Sequence, residues 1–447
     1  MKRQISKLVL LLLMFLPLIL SAQELTLTTA KKLLLQNNGE YNASVIEVNR
    51  LREEKKVNEG LYYPSLSILG NYLHLQDDIS VDLNNERDLL AGLLNVPDPN
   101  ALGNWRRVLQ GKDFAFASAR FRWPLYTGGK INAANKASGI RLEIGAKQQD
   151  IKERDLMIEL INSYYRTKLA QELLILRKEV LNTVTLHKDR ADKFFENGMI
   201  PEVEILNAKV AYSNANREVV AAEKDYNLAK TALQNLIGNI AIENLSSTFH
   251  IPEELPTLEE FQEIMITQSL GLDVLEQNKV LAGVNIRAEK SAYLPSLAAM
   301  GSYRFYNESF AIGQTDWYVG LGLQWNLFDG FQREHKIKAA KEMKSQVEAL
   351  KSQAELGLMT LTEKLYRSME KQYELSQSLE NDQKLAEELM FMRRRAFEEG
   401  TGTSLEVVDA TLLLSQVRFQ KIMNLYDYSV TKGELMVRMG QIDNFLN

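Results

Sequence analysis

Two registers of internal identity constrain this chain more than any other feature. Leu61-Tyr-Tyr-Pro-Ser-Leu66 and Ala292-Tyr-Leu-Pro-Ser-Leu297 share Tyr, Pro, Ser and Leu at an offset of 231 residues, and Gly70/Gly301 and Tyr72/Tyr303 continue it. Trp123-Pro-Leu-Tyr-Thr-Gly128 aligns with Trp325-Asn-Leu-Phe-Asp-Gly330 at an offset of 202. So do Phe195-Glu-Asn-Gly198 with Phe397-Glu-Glu-Gly400, Ala208 with Ala410, and Gly238 with Gly440. A constant offset over more than 100 residues marks a duplication. The repeats run over residues 27–238 and 258–440, joined by a connector at 239–257. The change of offset places 29 extra residues in the first repeat, within 76–113. Length alone suggests two or three domains in 447 residues; the duplication suggests one domain, 23–447, made twice.

The start of the chain reads as an export signal. Lys2, Arg3 and Lys7 precede an apolar run from Leu8 to Leu20, with small residues at Ser21-Ala22. That run is too short to span a bilayer and matches a cleavable signal over residues 1–22. Its removal leaves 50 cations against 58 acids, a balance of −8. Such a surface is not one for nucleic acid. The absence of cysteine excludes disulfides, thiolate catalysis and iron–sulfur clusters. His74, His187, His250 and His335 stand alone, without metal-ligand spacing. Thr127-Gly-Gly-Lys130 lacks the spacing of a phosphate loop. No catalytic, cofactor-binding or metal residue is expected.

Each repeat reads as helix, two strands, very long helix, tight turn, helix. Strands are expected at about 65–75, 114–124, 296–306 and 317–327. The clearest is Trp317–Leu327, where Trp317, Val319, Leu321, Leu323, Trp325 and Leu327 alternate with Tyr318, Gly320, Gly322, Gln324 and Asn326. Its length suits a tilted membrane strand, and Trp123, Trp317 and Trp325 suit membrane interfaces. Arg120 and Arg122 share one face, which would suit a wet lumen. A soluble sheet edge is the other reading. Four strands cannot close a membrane barrel, since single-chain barrels begin at about eight, so the chain would pool strands with copies of itself.

Helical hairpins are expected over 130–238 and 332–440, without proline in the long helices. Two apolar seams mark the first long helix. One is Leu156, Leu160, Ser163, Thr167, Ala170, Leu174, Leu181 and Val184; the other is Leu169, Leu173, Leu176, Val180 and Thr183. They lie on different faces, as a helix in a cylinder of helices requires, whereas an antiparallel coiled coil needs one seam. Gly198 and Gly400 suit left-handed helix ends. Seven residues follow Gly440, leaving little C-terminal chain to join the connector.

At the hairpin tips the copies read Phe195-Glu-Asn-Gly-Met-Ile-Pro-Glu-Val-Glu-Ile-Leu-Asn-Ala208 and Phe397-Glu-Glu-Gly-Thr-Gly-Thr-Ser-Leu-Glu-Val-Val-Asp-Ala410. This pattern, with Tyr-x-Pro-Ser-Leu before a strand and Trp-x-Leu-Phe-Asp-Gly after its partner, resembles the TolC-like outer-membrane efflux factors across essentially the whole mature chain. The resemblance implies a mainly α fold with a membrane β-barrel: a homotrimer with a 12-stranded barrel, four strands per chain, on a trimeric α-helical barrel in the periplasm of a Gram-negative bacterium. It implies a passive exit duct for efflux or type I secretion, in outer-membrane lipid, working with a periplasmic adaptor (a membrane fusion protein) and an inner-membrane pump of RND or ABC type. It also implies acidic rings at the periplasmic aperture, matched here by Glu204, Asn207, Glu406 and Asp409, and adaptor docking at the tip turns, matched by Gly198, Pro201, Gly400, Gly402 and Thr403. Gly402 stands where the family often has a basic residue. Thr403-Ser-Leu-Glu406 is also a capping box, so Glu406 reads as a helix cap or as a gate. The 76–113 segment reads as an extracellular loop. The competing class is a periplasmic coiled-coil scaffold or adaptor without a pore.

Overall fold

The computed structural model describes residues 24–309 and 315–446, so the export signal expected over residues 1–22 lies outside the described residues. The first repeat begins with α1 (Leu27–Asn37), α2 (Gly39–Glu59) and β1 (Ser65–His74). Its extra residues then fold into β2 (Ile79–Asp82), α3 (Asn84–Leu93) and β3 (Arg106–Gln110), with β2 and β3 antiparallel. The repeat ends with β4 (Asp113–Tyr126), α4 (Lys130–Glu196) and α5 (Glu202–Leu236). The second holds α6 (Leu258–Thr267), α7 (Leu270–Lys290), β5 (Ser296–Glu308), β6 (Trp317–Gln324), α8 (Gln332–Glu398) and α9 (Ser404–Arg438), and a short α10 (Ile442–Leu446) closes the described chain. Both registers hold in the elements: α4 and α8 have 67 residues each, α5 and α9 have 35, and α2 and α7 have 21. Among the described residues, no helix is long and apolar enough to cross a membrane.

Local chemistry sets these boundaries twice over. Thr26 and Thr257, 231 residues apart, cap α1 and α6 by accepting from Thr29 N and Glu260 N. Gly198 (φ 68°), Gly238 (φ 95°), Gly400 (φ 75°) and Gly440 (φ 73°) end the four long elements in the left-handed region. Each end carries the same pair of bonds. At the first, Met199 N donates to Phe194 O and Gly198 N to Phe195 O; at the third, Thr401 N donates to Ala396 O and Gly400 N to Phe397 O. These satisfy carbonyls that a helix end leaves free.

The chain divides into two compact units, and each draws on both repeats. One comprises Val48–Gly145 and Leu275–Ala349. It holds a four-stranded antiparallel sheet in the order β1-β4-β5-β6. The expected strand at 317–327 stops at Gln324. Trp325 Nε1 donates to Tyr293 O, and Arg333 donates to Asn326 O and Leu327 O, so those carbonyls leave the ladder. Leu66, Ile68 and Tyr72 on β1, Phe121 and Trp123 on β4, Tyr303 on β5, and Trp317, Val319, Leu321 and Leu323 on β6 share one face by register and are exposed. Val319 is 78% exposed.

The other unit runs through Glu47, Ala146–Val274 and from Leu350 onward. In its main core Leu156, Leu160, Ile161, Tyr164 and Tyr165 of α4 pack with Leu34, Leu233, Ile237 and the connector residues Ile242 and Leu245. Tyr164 Oη donates to Leu25 O at 2.6 Å and accepts from Ser247 N at 3.1 Å. A second core repeats the plan: Phe261 and Met265 of α6 pack on Leu365 and Met369 of α8 and on Tyr428 and Leu435 of α9. The expectation that the C-terminus adds little is corrected here. Phe445, 2% exposed, stacks on His250 and meets Tyr165 edge-on. The sequence seams on α4 located Leu156 and Leu160 and missed Tyr164 and Tyr165, which are fully buried.

Candidate functional site

The hairpin tips bring residues of both repeats together. Phe397 is buried with Ala191, Ala208 and Val407, and Phe194 stacks on it at 5.6 Å. Its repeat counterpart Phe195 stays 40% exposed. His187 of α4 lies edge-on to Phe397, and its Nε2 shares a 2.7 Å hydrogen bond with Ser404 Oγ. Burial, with Arg190 nearby, pushes the His187 pKa down to about 4.

The four aperture candidates take different places. Glu406 completes the capping box of α9: Thr403 Oγ1 accepts from Glu406 N, and Glu406 Oε2 accepts from Thr403 N at 3.1 Å. Its other oxygen accepts from Arg393 Nη1 at 2.8 Å. Glu406 is therefore a cap in this structure. Glu204 also caps a helix, but one in the other repeat: its Oε2 accepts from Ser404 N at 2.7 Å. Asn207 is half-buried, and Asp409 is exposed on α9 outside these bonds.

Of the turn residues, Gly198 and Gly400 are the left-handed ends, Pro201 precedes α5 and Thr403 is the cap of α9. Gly402 is held for space rather than for torsion. A Cβ there would stand 3.1 Å from Ala396 Cβ and 3.1 Å from Phe397 N. A basic side chain at that position would push the turn off α8, and Arg393 of α8 supplies a cation to Glu406 instead. Arg190 pairs with Glu398 across the repeats. Sequence reasoning missed His187, Ser404, Arg393 and Arg190, since each finds its partner far along the chain or across a turn.

On the sheet, Trp123 and Trp325 are repeat equivalents with one role: their indoles donate to Tyr62 O and Tyr293 O, both at 3.0 Å. Trp317 opens β6 and is exposed. The outer edges of the sheet are β1 (SLSILGNYLH) and β6 (WYVGLGLQ), which hold no Lys, Pro or acid. Proteins that end a sheet in water place such residues on its edges. Among the described residues no group of acids and histidines is arranged to hold a metal ion.

Comparison with known proteins agrees with this architecture. The family model "Outer membrane efflux protein" matches residues 110–239 and 266–441. The proteases secretion protein PrtF of Dickeya chrysanthemi is 22% identical over 93% of this chain and 89% of its own length. Protein CyaE of Bordetella pertussis is 22% identical over 55% of this chain, which spans about half (54%) of CyaE. The crystal structure of the Campylobacter jejuni CmeC outer membrane channel aligns with a TM-score of 0.74 at 13% identity, over 93% of this chain and 86% of that one. With the duplicated plan, the exposed apolar sheet face and a family match over most of its length, this chain belongs to the outer membrane efflux protein family, channels of the outer membrane with long helical hairpins.

Proposed function

We propose that three copies of this chain form a passive outer-membrane exit duct for a tripartite export system. The carrying observation is the sheet: four strands, two unblocked edges and one exposed apolar face. Unpaired strand edges in hydrocarbon cost several kcal/mol per backbone group, so a four-stranded sheet in lipid needs further strands. Three chains supply twelve. Arg120 and Arg122 support taking their face as the wet one, because a cation facing lipid costs about 2–4 kcal/mol at mid-membrane and less toward the interface where Trp123 sits. The apolar face, with Trp123, Trp317 and Trp325, meets lipid. An inner-membrane pump of RND or ABC type supplies energy through an adaptor that engages Gly198, Pro201, Gly400, Gly402 and Thr403. The chain provides a path and no chemistry. PrtF is named for the secretion of proteases, which supports type I secretion of protein cargo as one use of the duct.

At the periplasmic aperture, Glu204, Asn207, Glu406 and Asp409 repeat threefold. Rings of acids favour cations. Asp409 is the freest of the four, because Glu204 and Glu406 already accept backbone N–H groups. Two measurements test the reading. Outer-membrane fractionation should yield a heat-modifiable trimer; a soluble periplasmic monomer would support the poreless scaffold instead. In planar bilayers, E406Q/D409N should weaken trivalent-cation block and cation preference, and unchanged behaviour would remove both residues from the gate.

A further inference from the structure

The wet face of the sheet carries a charge pattern that a passive duct does not require. Arg120 and Arg122 stand on that face of β4, about 7 Å apart along the strand. In the register Ser67 of β1 and Ser302 of β5 flank Arg120, while Ser65 and Met300 flank Arg122. Both arginines are exposed. Arg304 of β5, opposite Ser118, shares the face, and its backbone N–H donates to Asp316 O at 2.7 Å. The strand residues of this face include no Asp or Glu, and β6 adds Gly320 and Gly322, which leave it low beside β5.

We infer that Arg120 and Arg122, with the hydroxyls of Ser67 and Ser302, form an anion-binding strip in the barrel lumen that takes oxyanion groups of the cargo. The inference rests on the trimeric duct proposed above. Guanidinium groups offer paired N–H donors that match carboxylate and phosphate oxygens, and Ser67 and Ser302 add neutral donors on both sides of Arg120, while the Ser65 hydroxyl donates to Arg122 O. Basic side chains lining a pore select for anions, and lumen substitutions tune selectivity. The strip occurs once per chain, because the repeat counterparts of Arg120 and Arg122 are Gly322 and Gln324.

The test is single-channel recording of the full-length trimer in planar bilayers, with inorganic tripolyphosphate and citrate as probes. Wild-type channels should be blocked by at least one of the two polyanions, which also separates phosphate from carboxylate preference. In R120Q/R122Q the half-blocking concentration should rise about tenfold, as expected for losing exposed charge contacts, and the reversal potential in a KCl gradient should shift toward cation preference. R120K/R122K should keep most of the block. E406Q/D409N should not weaken it, since losing acids at the aperture can only ease polyanion entry, and this opposite sign separates the strip from the aperture. Wild-type channels that neither polyanion blocks would overturn the strip, as would unchanged block in R120Q/R122Q. Wild-type protein that forms no channels at all would instead overturn the duct.

Discussion

His187 shares its Nε2 with Ser404 Oγ, lies against Phe397, and is held neutral because burial lowers its pKa to about 4. His250, stacked on Phe445, is lowered to about 4 by burial and by Lys432. In the unfolded chain both would titrate near the ordinary value. As pH falls below about 6.5, the unfolded state takes up protons that the folded state refuses, so stability drops until pH reaches about 4. The full effect is at most about 3 kcal/mol per histidine. Circular dichroism melts at pH 7.5 and 5.0 should show this loss, and H187N/H250N should flatten it; an equal pH slope in that variant would exclude these residues as its source. None of this was legible in the sequence, where His187 and Ser404 stand far apart in different repeats. Glu406 was legible as a cap, because Thr403 and Glu406 are local; its bond to Arg393 was not.

Among the elements, the glycines at helix ends were readable and the packed glycine was not. Gly198 and Gly400 sit in open space, so G400A should cost only the left-handed torsion, about 1–2 kcal/mol. Gly433 of α9 has helical torsions, but a Cβ there would lie 2.8 Å from Ile161 and 2.9 Å from Phe445. G433A should therefore overpack the main core by about 1–3 kcal/mol. Urea unfolding of the two variants distinguishes torsion from crowding: in an F445A background the added cost of G433A should shrink, leaving the Ile161 contact, while that of G400A should not change. Strand alternation predicted β6 well but ran three residues too far. Periodicity reports side-chain chemistry, whereas the ladder ended where Arg333 captured the carbonyls of Asn326 and Leu327.

At the scale of the whole molecule, the sheet faces decide how the chain meets a membrane. L321R would place a cation on the lipid face and cost about 2–4 kcal/mol per chain near mid-membrane. Q324R lies on the wet face and should be tolerated. The amount of heat-modifiable trimer in outer-membrane fractions checks the pair, and loss of Q324R with L321R tolerated would reverse the face assignment. The duplication made this scale the most legible, because two offsets sufficed to order every large element. The matching lengths of α4 and α8, and of α5 and α9, carry a consequence for how such a chain can vary. Seven residues added to one long helix would displace its tip by about 10 Å relative to its twin. Changes of reach must then come in matched pairs, like adjusting two legs of one table. The single unmatched addition, 29 residues between β1 and β4, sits beyond the strands, where neither twin sets the length of the other.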